Sequence, residues 1–284
     1  MTEFKGFARE YHNRMLAAYG FGLFALPRYR EAASGPWRLI RHLPSVADGY
    51  VSAVAVEDER YVLYHRCTPW MSTGMMERES HAYHVHVARG TVVVAGLGLA
   101  MFVHAVAAKP DVDRVVVVEE SEDVIELMRK ASRWESWPGR EKIVILQADA
   151  LDPHLSPHVV EASWGHSPDY LFADIWERCA DPKAAGETAR MVRVLGAKAA
   201  GWWGQELAFA DWWRARDGAS LDPADHDAAA SALATFFAES GVPVPLTPGY
   251  VAFCADVVAA NPPTRQSGRS PWRWVWQRLM MTGR

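Results

Sequence analysis

Between residues 90 and 216 the chain alternates short, wholly apolar runs with segments of helical spacing, and this alternation restricts the fold more than any other feature. The apolar runs are "TVVVAG" (91–96), "DRVVVVEES" (113–121), "KIVILQADA" (142–150), "PDYLFADIW" (168–176) and "AKAAGWWGQE" (197–206). Helix-like stretches stand between and after them at 99–108, 122–134, 182–196 and 206–216. Strands without polar alternation are covered on both faces, and strands alternating with helices pair in parallel. The expected fold is therefore α/β: a doubly wound, Rossmann-like, mostly parallel sheet.

Three regions follow from this reading. Residues 1–88 form an N-terminal lobe, residues 89–216 the Rossmann-like domain, and residues 217–284 a helical extension packed on the core. In the lobe, two Val- and Tyr-rich runs flank "EDER" (57–60) and predict a β-hairpin over 48–65, making the lobe β-rich; "STGMMERESHAYHVHVAR" (72–89) predicts a helix. In the extension, 224–241 reads as helix and the Pro-punctuated 242–258 as an edge strand. Ser270-Pro271 reads as the start of a last helix with Trp272, Trp276 and Leu279 on one face, docked on its own domain or on a second subunit.

With 284 residues, half of them hydrophobic, the chain can bury a large core. A net charge of −4 supplies no positive field for nucleic acid, so no nucleic-acid partner is expected. No run approaches the ~18 apolar residues of a membrane span. Residues 15–27 imitate a signal peptide, but Glu3 and Glu10 precede them and no small-residue cleavage site follows. The expected location is the cytoplasm, without membrane contact. Cys67, Cys179 and Cys254 are scattered and read as free thiols.

In open α/β sheets, ligands bind beyond the carboxyl ends of the strands, where the strand order reverses. The first run delivers Gly96, Leu97 and Gly98 there, the second Glu119, the third Asp149 and Ala150, the fourth Asp174, Trp176 and Glu177. Glycines let a ligand approach the backbone, a carboxylate can accept both hydroxyls of a ribose, and Asp149 can meet an exocyclic amine. One such feature is weak; four in order suit one adenosine. A dinucleotide fingerprint requires a third glycine where Met101 stands, so S-adenosylmethionine is the expected cofactor rather than NAD.

Residues 96–174 resemble the core of class I S-adenosylmethionine-dependent methyltransferases. The preceding β-rich segment and "ERESHAYHVH" (77–86) resemble the spermidine synthase branch, in which an acidic-x-x-x-Tyr-His stretch follows such a lobe. The resemblance spans residues 48–205. It implies that Gly96 and Gly98 line the cofactor loop, Glu119 holds the ribose and Asp149 the adenine amine. It also places Asp174 where aminopropyltransferases carry a base. Two departures stand out: Val94 replaces the acid that many methyltransferases carry two residues before the first glycine, and Gly98 replaces the Asp that holds the aminopropyl amine.

The expected activity is methyl transfer to a small-molecule acceptor. Aminopropyl transfer and cofactor binding without transfer remain as alternatives. Asp174, then Glu177, is the candidate base. Tyr83 and His84 are candidates to cover the methionine tail or line the acceptor pocket, with Trp176 beside them. His81, His84 and His86 lack a completing carboxylate or thiolate, so no metal is expected. Of Trp202 and Trp203, one should enter the core and the other the opposite face; Gln205 and Glu206 could reach the acceptor. A homodimer is a candidate assembly.

Overall fold

A computed structural model describes residues 6–47, 49–51, 55–57, 59–217 and 225–261. The expected helix over residues 270–284 lies outside them. The N-terminal part runs through α1 (Gly6–Tyr19), β1 (Ala32–Ser34), β2 (Trp37–His42), β3 (Ser45–Ala47), β4 (Ala55–Glu57), β5 (Arg60–His65), β6 (Thr68–Ser72) and α2 (Met75–Val87). The core follows as β7 (Gly90–Ala95), α3 (Met101–Ala107), β8 (Val112–Glu119), α4 (Glu122–Ala131), β9 (Ile143–Gln147), α5 (Ser156–Ala162), β10 (Tyr170–Ala173), α6 (Ala184–Leu195), β11 (Ala200–Trp202) and α7 (Gln205–Asp217). Helices α8 (His226–Ser240) and α9 (Pro248–Ala260) complete it.

The five core strands pair in parallel in the order β11-β10-β7-β8-β9, which is the doubly wound α/β arrangement. The direction of winding reverses between β7 and β10, so the loops after these two strands part and leave a crevice. Strand side chains alternate between two apolar layers. Val92, Val94, Val115, Val117 and Phe172 pack on one side, with α3 and α4. Val93, Ala95, Val116, Val118 and Leu171 pack on the other, with α6, α8 and α9. Burial on both faces is why these runs carry no polar alternation.

The N-terminal part contains a four-stranded antiparallel sheet, β1-β2-β5-β6, and a separate pair, β3-β4. The single hairpin expected over 48–65 is not formed. Strand β4 pairs with β3, while β5 pairs with β2 and β6, so the two Val-rich runs belong to different sheets. The hairpin partner of β5 is β6, across a turn in which Arg66 takes φ 58. The expected edge strand over 242–258 is also corrected. Thr247 accepts the Tyr250 N–H as N-cap with Pro248 in the first turn, and α9 follows. Before α9, the Pro243 carbonyl accepts the Ala200 N–H of β11 at 3.1 Å.

Gly96 holds the switch point. Its φ is +92°, and a Cβ there would lie 2.2 Å from the carbonyl oxygen of Asp174. Gly186, by contrast, lies in α6 with nothing within 4 Å of an added Cβ. Gly96→Ala is therefore expected to cost at least about 2 kcal/mol in denaturant unfolding, whereas Gly186→Ala gains up to about 1 kcal/mol. Equal effects would contradict this account of the turn.

Candidate active site

A cavity of about 600 Å³ opens at the carboxyl ends of β7, β8, β9 and β10. Gly96, Gly98, Glu119, Asp149, Ala150, Asp174 and Trp176 all line it. The sequence placed these residues at four strand ends, and the structure brings them around one space. Trp37, Leu63, Trp70 and Met71 of the antiparallel sheet form a second wall, with Glu77 of α2 and Trp203 after β11.

The glycine loop is tightly bonded. The Gly96 N–H donates to the Val118 carbonyl at 2.8 Å, and that of Ala100 to the Leu97 carbonyl at 2.7 Å. Leu97 donates to Glu119 Oε2 at 2.7 Å. Leu99 donates to the Met71 thioether at 3.3 Å. The backbone N–H groups of Gly96, Leu97, Leu99 and Ala100 are thus donated within the protein. Phosphate cradles work by presenting several free N–H groups; this loop has most of its own tied to protein acceptors. Leu97 contributes this backbone bond, while its side chain is buried in the apolar layer behind the loop.

Glu119 clamps the loop and borders the cavity at once. Oε1 accepts the Ser121 N–H at 2.9 Å. Burial raises its pKa, and the N–H groups of Leu97, Ser121 and Gly98 work against that rise. Asp149 is exposed and turns Oδ1 to the Leu151 N–H at 2.8 Å, which fixes the loop after β9. Trp176 is held by its indole N–H, donated to Glu187 Oε2 of α6 at 2.6 Å. Tyr29 braces the loop from below, donating to the Leu99 carbonyl at 2.6 Å.

Asp174 is reached from behind by a residue not assigned to it from the sequence. His81 Nε2 lies 3.3 Å from Asp174 Oδ2, and the imidazole is 1 % exposed. One turn earlier, Glu77 is 4 % exposed, lines the cavity, and has no hydrogen-bond partner on Oε2. Burial pushes the Glu77 carboxyl up to about 8, assisted by Asp174 and opposed by His81. The available signal was the i, i+4 spacing of Glu77 and His81 on a helix with acids on an otherwise apolar face.

Other expected residues lie elsewhere. Tyr83 is fully buried, donates to the Pro245 carbonyl and stacks on Tyr250 with ring centroids 3.6 Å apart. His84 Nδ1 meets the Tyr170 hydroxyl at 2.8 Å. Both belong to the core, so they do not line the cavity. Glu177 is exposed and outside its lining. Trp202 enters the core layer of α8 and Trp203 the opposite one, where it reaches the cavity. Glu206 is buried, accepting from Tyr50 at 2.8 Å and Tyr250 at 2.7 Å, and Gln205 bonds Tyr250. Neither reaches the cavity lining. Burial raises the thiol pKa of Cys179 and Cys254, and Cys67 is exposed. No described helix is long and apolar enough to cross a membrane.

Neither a protein-family model nor a curated protein matches the sequence. Among solved structures, the CcbJ methyltransferase from Streptomyces caelestis is similar at TM-score 0.30 and 16% identity, covering 42% of this chain and 47% of that one. A fibrillarin/Nop5p complex matches at TM-score 0.30 and 17% identity, over 53% and 59% of the two chains. A spermidine synthase in complex with the transition-state analogue AdoDATO matches at 0.26 and 15%, over 51% and 55%. The chain spans about half the length of these structures. At such TM-scores the likenesses carry no weight for cofactor or reaction, which rest on the site itself.

Glu77 gives a pH signature. Its folded-state pKa lies above its usual value of 4.5, so the folded protein holds this proton where the unfolded chain has released it. Its contribution is full below the unfolded pKa and is lost as pH rises from 4.5 through about 8. Glu77→Gln removes that loss. Urea unfolding should show the variant gaining stability on wild type as pH rises from 5 to 8.5, by at most about 1.4 kcal/mol per pH unit. A difference independent of pH would contradict the burial assigned to this carboxyl.

Proposed function

We propose that the cavity binds S-adenosylmethionine and that the protein transfers its methyl group to a small-molecule acceptor. The observation that carries this reading is the convergence of Gly96, Gly98, Glu119, Asp149 and Asp174 on one cavity most of whose loop N–H groups are already committed to protein acceptors. An adenosine with an amino-acid tail needs carboxylate acceptors and a close backbone. A pyrophosphate needs several free donors, and most of those in this loop are already engaged. The cavity volume lies within the usual range for small-ligand sites, roughly 300–1,000 Å³.

Bound there, S-adenosylmethionine supplies a methyl carbon already activated by a sulfonium. The chain contributes placement and exclusion of water. Glu119 and Asp149 present acceptors toward ribose and adenine, and Gly96 and Gly98 let the ligand approach the backbone. The indoles of Trp70, Trp176 and Trp203 wall the space, and Asp174 accepts a hydrogen bond from the nucleophile and orients it. Such alignment is the main requirement for an in-line displacement and is worth up to ~7–11 kcal/mol in favourable cases.

A second reading is aminopropyl transfer from the decarboxylated cofactor. It is favoured by the antiparallel sheet whose Met71 roofs the glycine loop, and by the carboxyl of Glu77 at the acceptor end.

Calorimetric titration separates these readings. S-adenosylmethionine and S-adenosylhomocysteine are expected to bind, NAD is not, and Asp149→Ala should weaken both at least about tenfold, roughly one hydrogen bond to a charged group. Preference for the decarboxylated cofactor would favour the second reading, and silence toward all adenosyl forms would remove both. In an acceptor screen followed by mass spectrometry, Asp174→Asn should keep cofactor affinity and lose turnover about 10²-fold or more. Full turnover would take Asp174 out of the chemistry.

A further inference from the structure

The side-chain cluster behind Asp174 fixes the position of a proton. His81 Nδ1 lies 2.6 Å from the backbone carbonyl of Glu77. A carbonyl only accepts, so Nδ1 carries hydrogen. The neighbouring Ser80 hydroxyl does not relieve this assignment: it donates its one hydrogen to the same carbonyl at 3.0 Å and accepts the Trp203 indole N–H at 3.2 Å. With Nδ1 protonated, a neutral imidazole would turn the Nε2 lone pair toward Asp174 Oδ2 at 3.3 Å. Two acceptors would then face each other, with the imidazole 1 % exposed and the Asp174 side chain 15 % exposed at the cavity wall. The contact is favourable only with a proton between them.

We propose that His81 is a positioning residue, an imidazolium that donates from Nε2 to Asp174 and so fixes both the aim and the ionised form of the carboxylate facing the acceptor. The inference deepens the transferase reading, on which its catalytic meaning rests. His81 is buried at 1 %, packed between the rings of Phe24 and Phe172, and touches nothing in the cavity; it acts through Asp174 alone. Because the proton of this pair is already held, Asp174 serves as a fixed hydrogen-bond acceptor for the nucleophile and does not take up its proton.

The groups acting on His81 support a held proton. Desolvation lowers its pKa, but Asp174 after β10 and Glu77 on its own helix outweigh that and raise it. Glu206 of α7 is an acid sensed across the same interior, and His84, one turn along α2, has its own pKa lowered by burial and by His81. Cys179, near Asp174 and Glu77, is kept as a neutral thiol by burial. Glu77 keeps its own proton up to about 8, so at pH 7.5 the Asp174 carboxylate is the main anion holding this imidazolium.

The test is ¹⁵N NMR of the full chain labelled at histidine, with the His81 signals identified by their loss in His81→Gln. Both ring nitrogens of His81 should carry protons at pH 7.5, and in Asp174→Asn the Nε2 proton should leave at that pH while Nδ1 keeps its own, a downward shift of the midpoint by one unit or more. An unprotonated Nε2 at pH 7.5 in wild type, or an unchanged His81 spectrum in Asp174→Asn, would overturn the proposal. Should Asp174→Asn fail to fold, the wild-type titration decides. A midpoint above 7.5 supports the imidazolium, and one below 7.5 rules it out. Adding S-adenosylhomocysteine to the same sample separates the two claims: no binding with His81 still doubly protonated defeats the transferase reading and leaves the pair intact.

Discussion

The candidate site depends first on how closely two loops pass at the switch point of the sheet. The Asp174 N–H donates to the Ala95 carbonyl at 2.9 Å, and its own carbonyl occupies the space that a Cβ on residue 96 would need. That approach carries Asp174 from the end of β10 to the mouth of the β7 loop. It also forces Gly96 into a backbone conformation that other residues adopt only with strain. The opening of the loop and the placing of the carboxylate are one packing event. The glycine is needed for strand–loop contact, and the ligand space follows from it.

The second constraint is the interior polarity of α2. Glu77, Glu79, Ser80, His81 and His84 are all buried on this one helix. Glu79 accepts the N–H groups of Tyr50 and Val51, His84 meets Tyr170, Ser80 bonds Trp203 and His81 meets Asp174. A helix so loaded must be surrounded by partners on nearly every side, because buried polar atoms without partners are costly. It ties the N-terminal strands, the sheet's carboxyl edge and α9 into one frame behind the cavity. Glu77 Oε2 and His84 Nε2 have no hydrogen-bond partner, and of these two residues Glu77 lines the cavity.

The parallel sheet was legible because each core strand is apolar through its length and ends in a recognisable turn or acid, so the strand ends and the residues they deliver could be named in order. The antiparallel part was less legible. Its strands are short, and the polar "EDER" looked like a hairpin tip when Glu57 and Arg60 in fact belong to strands of different sheets. Residues 242–258 misled through their prolines: Pro248 starts a helix behind the Thr247 cap, the same kind of signal that the sequence offers at Ser270-Pro271. Tyr83 and His84 looked like site residues because tyrosine and histidine side by side suggest chemistry. Which face of a wholly buried helix meets a cavity is set by tertiary packing, and periodicity gives no sign of it. For the same reason His81 and Glu77 went unassigned although their spacing was visible.

The account centres on one claim, that the space between Gly96 and Trp176 receives an adenosyl group. A crystal structure of the protein with saturating S-adenosylhomocysteine tests it most directly. The account predicts density in that cavity, with the ribose hydroxyls on Glu119, the adenine beside Asp149 and the sulfur toward Asp174. An empty cavity, or a ligand held away from these strand ends, would contradict it.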